Sequence, residues 1–127
     1  MKFEHFALNV PDAAAMAAWY VEHLDMQIVR SIQEAPHTHF LADATGRVVA
    51  EIYTNPSARI PDYADQHALV LHVAFAVEDA EATRDALIAA GATVLTDGTT
   101  DAGDHLVMLR DPWGVALQLC QRAIPMG

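Results

Sequence analysis

Two histidines, His5 and His72, each open a short apolar run, His-Phe-Ala-Leu-Asn-Val and His-Val-Ala-Phe-Ala-Val. Each run leads into an Asp and an Ala-rich stretch at helical spacing. Glu51 follows His5 at the same interval as Gln118 follows His72. Halves that share such an order constrain the chain to fold as two copies of one supersecondary unit. Related by a pseudo-twofold axis, two copies would carry His5, Glu51, His72 and Gln118 to one depth. There imidazole nitrogens and carboxylate or amide oxygens could converge on one divalent cation.

The alternation of apolar residues predicts a strand over 3–10, and Asp12 caps a helix running to about His23, with Met16, Trp19, Tyr20 and Leu24 on one face. Strands follow at about 26–33, 37–43 and 47–54, the last two joined by Asp43-Ala-Thr-Gly46, where Gly46 supplies a positive φ. The second half repeats the order: a strand at 70–77, Asp79 as N-cap of a helix ended by Gly91, and strands at about 92–96, 104–110 and 114–121. The fold class is therefore α+β: two βαβββ modules forming an open, incomplete β-barrel with helices on the outer face. Module 1 covers about 1–55, a connection rich in proline and polar residues about 55–69, and module 2 about 70–122. The repeat is approximate. His5 to Gly46 is one residue shorter than His72 to Gly114, so equal ligand intervals require a compensating residue after the first turn.

At 127 residues and 53 % hydrophobic, the chain suits a single domain built from those two modules. No run approaches the roughly 18 apolar residues of a membrane span, and Met1 leads directly into the first strand, so the expected location is cytoplasmic. The lone Cys120 excludes an intrachain disulfide and reads as a small buried hydrophobe. A formal charge of −10, with only seven Lys and Arg, argues against nucleic acid or an anionic membrane as partner.

Strand parity separates two faces. Phe6, Leu8, Val10, Val73, Phe75, Val77, Leu117 and Leu119 form one, suited to packing beneath the helices. The other carries His5, Ala7, Asn9, Val49, Glu51, Tyr53, His72, Ala74, Ala76, Ala116 and Gln118. Small residues around four matched polar positions point to a cavity, since a solid core would carry bulky branched side chains. A metal-free alternative makes the same four residues a hydrogen-bonded cluster. The fourfold match favours the metal. Two histidines and a carboxylate suit a borderline divalent ion and leave coordination positions open. His37 and His39 share a face of one predicted strand, lining the pocket or facing solvent. His23 sits near a helix C-terminus, and His67 and His105 lie in or beside loops. Trp113 packs at a hairpin tip.

At these residues the chain resembles the vicinal oxygen chelate superfamily, which contains glyoxalase I, extradiol dioxygenases, methylmalonyl-CoA epimerase, and the fosfomycin and bleomycin resistance proteins. The resemblance spans 3–122 and is carried by the His5 strand, Tyr20 to Met26, Ala50-Glu51-Ile52, His72-Val-Ala-Phe, and Asp111-Pro-Trp-Gly114 with Leu117-Gln118-Leu119. His5, Glu51, His72 and Asn55 look most like bacterial glyoxalase I. The resemblance implies one divalent metal ion (Ni, Co, Zn, Mn or Fe) held by His5, Glu51, His72 and Gln118, and a homodimer. It also implies a lyase or isomerase acting on a small substrate with vicinal oxygens through an enediolate. Gln118 stands where the family's last ligand is normally Glu, which leaves Glu51 as the only carboxylate and the expected catalytic base. Asn9 and Ala68 stand where glyoxalases carry arginines for glutathione. Two alternatives remain: a non-catalytic small-molecule or antibiotic binder of the bleomycin resistance kind, with Trp19, Tyr53 and Trp113 as stacking groups, and an Fe(II) extradiol-type dioxygenase.

Overall fold

The computed structural model describes all of residues 1–127, and the chain divides into two compact units, Met1–Pro61 and Asp62–Gly127. The first contains β1 (Phe6–Asn9), α1 (Ala13–His23), β2 (Gln27–Ser31), β3 (His39–Ala42) and β4 (Val48–Tyr53). The second contains a 3₁₀ turn (Tyr63–Asp65), β5 (Val73–Ala76), α2 (Ala80–Ala89), β6 (Thr93–Thr99), β7 (His105–Arg110) and β8 (Ala116–Gln121). Each is a βαβββ module whose four strands form an open sheet, ordered β1-β4-β3-β2 and β5-β8-β7-β6, with a parallel first pair and antiparallel others. The α+β expectation of two such modules holds.

Local chemistry explains the repeat. Asp12 and Asp79 cap the helices, each carboxylate accepting an amide hydrogen bond, from Ala15 at 3.0 Å and from Ala82 at 2.9 Å. A second orphan amide in each first turn donates to a side chain just past or at the end of the central strand. Ala13 reaches Thr54 Oγ1 and Ala80 reaches Gln121 Oε1, both at 2.9 Å. In the first unit Leu8, Val10, Met16, Tyr20, Leu41 and Ile52 are buried; in the second Leu87, Val107, Leu109, Leu117 and Leu119 are. Phe6, Val73, Phe75 and Val77 on the same faces are only half-buried.

Both sheets carry a bulge in the strand after the helix, between Ile28 and Arg30 and between Val94 and Thr96. A further irregularity opposes Leu41–Ala42 with Ala50 and Val48, so β4 contains one extra residue directly after the Gly46 turn. That is the compensating residue the uneven repeat requires.

Several boundaries differ from expectation. His5 and His72 precede β1 and β5, and Leu69–Leu71 belong to a turn held by the Val70 amide on the His67 carbonyl at 2.9 Å. β6 continues to Thr99 as an exposed edge strand. His37 and His39 do not share a strand. His37 adopts φ +58° after the cis Ala35–Pro36 bond, whereas His39 begins β3, is 7 % exposed and bonds the His37 carbonyl through Nδ1 at 2.7 Å. No helix is long and apolar enough to cross a membrane.

Candidate metal and substrate site

In the first unit the parallel pairing of β1 with β4 sets Ala7 opposite Glu51, which leaves His5 one step before the strand on the same face. His5 Nε2 then stands 3.0 Å from Glu51 Oε2, and both side chains keep partial exposure. The other ring nitrogen, Nδ1, lies 2.9 Å from Glu4 Oε1. The Glu4 hydrogen bond raises the His5 pKa above its ordinary value, with Glu51 adding to the effect. Phe40, the β3 partner of Glu51, meets the His5 ring edge-on at 5.7 Å.

The second unit sets Ala74 opposite Gln118, with His72 again one step earlier. No hydrogen bond joins this pair. His72 Nδ1 lies 3.0 Å from the Ala68 carbonyl, and Gln118 Oε1 accepts from the Cys120 thiol at 3.4 Å. A carbonyl can only accept, so Nδ1 of His72 carries a proton, and in the neutral ring Nε2 is the nitrogen that holds the lone pair. Cys120 is buried, and burial pushes its thiol pKa up, consistent with an unreactive small hydrophobe.

The donor chemistry fits a divalent ion. His5 Nε2 and Glu51 Oε2 stand 3.0 Å apart, a hydrogen-bond distance that also suits two neighbouring ligands of an octahedrally coordinated ion. Glu4 orients the His5 ring as the Ala68 carbonyl orients that of His72, the outer support that metal-ligating histidines require. In each unit one histidine and one oxygen donor share a face, and no three His, Cys, Asp or Glu side chains gather in a metal-holding group.

The face of small residues is not uniformly open. Ala7, Ala74 and Ala76 are exposed, but Ala116 is buried in a cluster with Ala68 and Met108. Ala68 thus packs against the sheet and its carbonyl holds His72. Asn9 likewise ties the backbone together. Its side-chain amide donates to the Asn55 and Ala58 carbonyls at 2.9 and 3.3 Å, and its oxygen accepts from the Asn55 amide at 2.7 Å. Trp19, a residue of α1, is buried against Tyr20 and His23, so it is not an available stacking group. Tyr53 and Trp113 remain half-buried. His105, in β7, bonds Asp97 at 2.6 Å.

The sequence reading missed the surroundings of Glu51. A groove of about 670 Å³ opens in the first unit, lined by Lys2, Arg30 and Arg47 and walled by Phe3 and by Phe40, the cross-strand partner of Glu51. The available signal was the concentration of cations and aromatics at 2–3, 30, 40 and 47, but nothing in strand parity places them together.

Residues 2–119 match the model of the Glyoxalase/Bleomycin resistance protein/Dioxygenase superfamily. A curated relative, a probable lactoylglutathione lyase from Vibrio parahaemolyticus, is 29 % identical over 92 % of this chain and 88 % of its own. Among solved structures, glyoxalase I from Zea mays superposes with a TM-score of 0.74 at 22 % identity, over 97 % of this chain and 45 % of that one. The antibiotic-binding protein TnmS3 from Streptomyces sp. CB03234 gives 0.73 at 18 % identity over 97 % of both. Both likenesses are of fold.

Proposed function

Because this chain belongs to the Glyoxalase/Bleomycin resistance protein/Dioxygenase superfamily, we propose that it is a metal-dependent lyase or isomerase of the glyoxalase type, acting on a small molecule with vicinal oxygens. The observation that carries this reading is the contact of His5 Nε2 with Glu51 Oε2 at 3.0 Å. The relative named as a probable lactoylglutathione lyase supports it. In this reading His5, Glu51, His72 and Gln118 would hold one divalent ion. Such an ion would supply Lewis acidity at a carbonyl oxygen, which eases loss of a proton from the neighbouring carbon.

The chain's own residues do the rest. Glu51 is the only carboxylate among the four donors, so it takes the proton from one carbon and returns it to the neighbour. Gln118 is neutral and holds its oxygen by the Cys120 contact; it binds without carrying a proton. Glu4 and the Ala68 carbonyl keep the two imidazoles in fixed orientation. With Asn9 holding the 55–58 backbone and Ala68 packed on the sheet, neither position offers the cation that would recognise glutathione. The substrate is a smaller compound. The family resemblance implies that the protein acts as a homodimer.

Elemental analysis of the untagged protein tests the metal, with about one equivalent per chain expected and loss in His5→Ala/His72→Ala. Glu51→Gln should abolish turnover of an α-hydroxycarbonyl while the fold is retained. Full activity in that variant would remove Glu51 from its role. A protein that takes up no metal yet binds a planar ligand would instead be a binder, in the manner of the antibiotic-binding TnmS3.

A further inference from the structure

Three of the seven Lys and Arg side chains of this acidic protein, Lys2, Arg30 and Arg47, line a groove walled by Phe40, the cross-strand partner of Glu51. None has a carboxylate within ion-pair distance. Arg47 acts on Asp43 only as a minor, longer-range influence. The one acid lining the groove, Glu4, is engaged with His5 Nδ1. Both guanidinium groups lie over aromatic rings instead, Arg30 at 5.9 Å from the Phe40 centroid and Arg47 at 5.8 Å from that of Phe3. A guanidinium stacked on a ring keeps its edge N–H donors free, in the fork geometry that matches a carboxylate.

The sheet gives this arrangement a direction. Arg30, Phe40 and Glu51 are successive cross-strand partners on β2, β3 and β4, so they share one face. Arg30 reaches that face only because of the bulge after Ile28; in a regular strand it would share the face of Ile28, which pairs with the buried Leu41. Two strand spacings put its backbone about 10 Å from that of Glu51. The corresponding row of the second sheet is Thr96, Met108 and Gln118, with no charge at all. The cation is therefore a property of one module and not of the repeat.

We infer that the groove binds the carboxylate of an organic acid with an aromatic or apolar body, Arg30 and Arg47 gripping the anion while the body lies along Phe40 toward Glu51. The choice of Glu51 as the reacting end rests on the function proposed above; the anion site does not.

The test compares 3-phenylpropanoate with its neutral isostere 3-phenylpropanamide by isothermal titration calorimetry at low and high salt. The wild type should bind the acid at least about tenfold tighter than the amide, with the advantage shrinking as salt rises. Arg30→Gln/Arg47→Gln should lose that advantage and bind the acid no tighter than the amide. Glu51→Gln, lacking the catalytic carboxylate, should bind the acid at least as tightly as the wild type, so failure of the enzymatic reading leaves this result intact. Equal binding of acid and amide by the wild type, binding of neither, or undiminished acid binding by a folded double variant would overturn the inference. If the double variant does not fold, the acid-to-amide ratio and its salt dependence in the wild type decide the matter.

Discussion

His5 Nε2 faces the Glu51 carboxylate at 3.0 Å, whereas its counterpart His72 turns Nδ1 to a backbone carbonyl and makes no hydrogen bond to Gln118. Duplicated positions have thus acquired different partners. One half sets a histidine against a carboxylate near a basic groove, and the other places a histidine and an amide on the face of Met108, the cross-strand partner of Gln118.

This asymmetry predicts different responses to removing each oxygen donor. Gln118→Ala leaves the Glu51 carboxylate in place, so metal affinity should fall while residual turnover persists. Gln118→Glu restores a second carboxylate and should raise metal affinity by electrostatic attraction. Metal titration of both variants followed by activity assays checks the order, and weaker metal binding in Gln118→Glu than in the wild type would contradict it.

Asn9 should behave as a structural residue. Asn9→Ala removes the bonds to the Asn55 and Ala58 carbonyls and strands the part-buried Asn55 amide, and leaving such a donor unsatisfied costs about 1–3 kcal/mol. Urea denaturation measures the loss. An unchanged midpoint would mean that water replaces all three contacts.

The two turn glycines should differ. Gly114 has φ +87°, and an added Cβ would lie 2.8 Å from both the backbone nitrogen and the Cβ of Ala64. Gly114→Ala combines conformational strain with a backbone clash and should cost more than about 2 kcal/mol. Gly46, at φ +82° with nothing nearby, carries the strain alone, so Gly46→Ala should cost about 1–2 kcal/mol. Chemical denaturation of the two variants side by side gives the comparison.

Acid should weaken the second unit through Asp97. Hydrogen bonds from His105 and then Arg84 hold its pKa below the ordinary 3.8. A depressed carboxylate contributes stability above its unfolded value and loses it as pH falls through the folded one. Asp97→Asn should therefore be less stable than the wild type at neutral pH, with the gap closing below about pH 4. Asp43 and Asp104 are depressed as well, so the variant keeps part of the acid slope. Unfolding midpoints from about pH 3 to 7 test this, and a gap independent of pH would show that Asp97 acts by geometry rather than charge.

The duplicated order of His5 and His72, the Asp12 and Asp79 caps, the turn at Gly46 and the alternation along each strand were sufficient to derive two βαβββ modules. Each of these signals is local: a cap or a turn acts within a few residues, and strand parity assigns faces without knowledge of neighbours. Even the irregular repeat length announced an extra residue after the Gly46 turn. Tertiary structure alone decided what parity could not. The bulge after Ile28 reverses the face of Arg30, pairing carries it across β3 to the row of Glu51, and the N-terminal residues Lys2 and Phe3 meet Arg47 at the same groove. It also removed Trp19 from any ligand by burying it, and separated His37 from His39 through a left-handed backbone step. The physical reason is that a bulge costs little in sequence and shifts register by one residue, which exchanges the faces of every side chain beyond it.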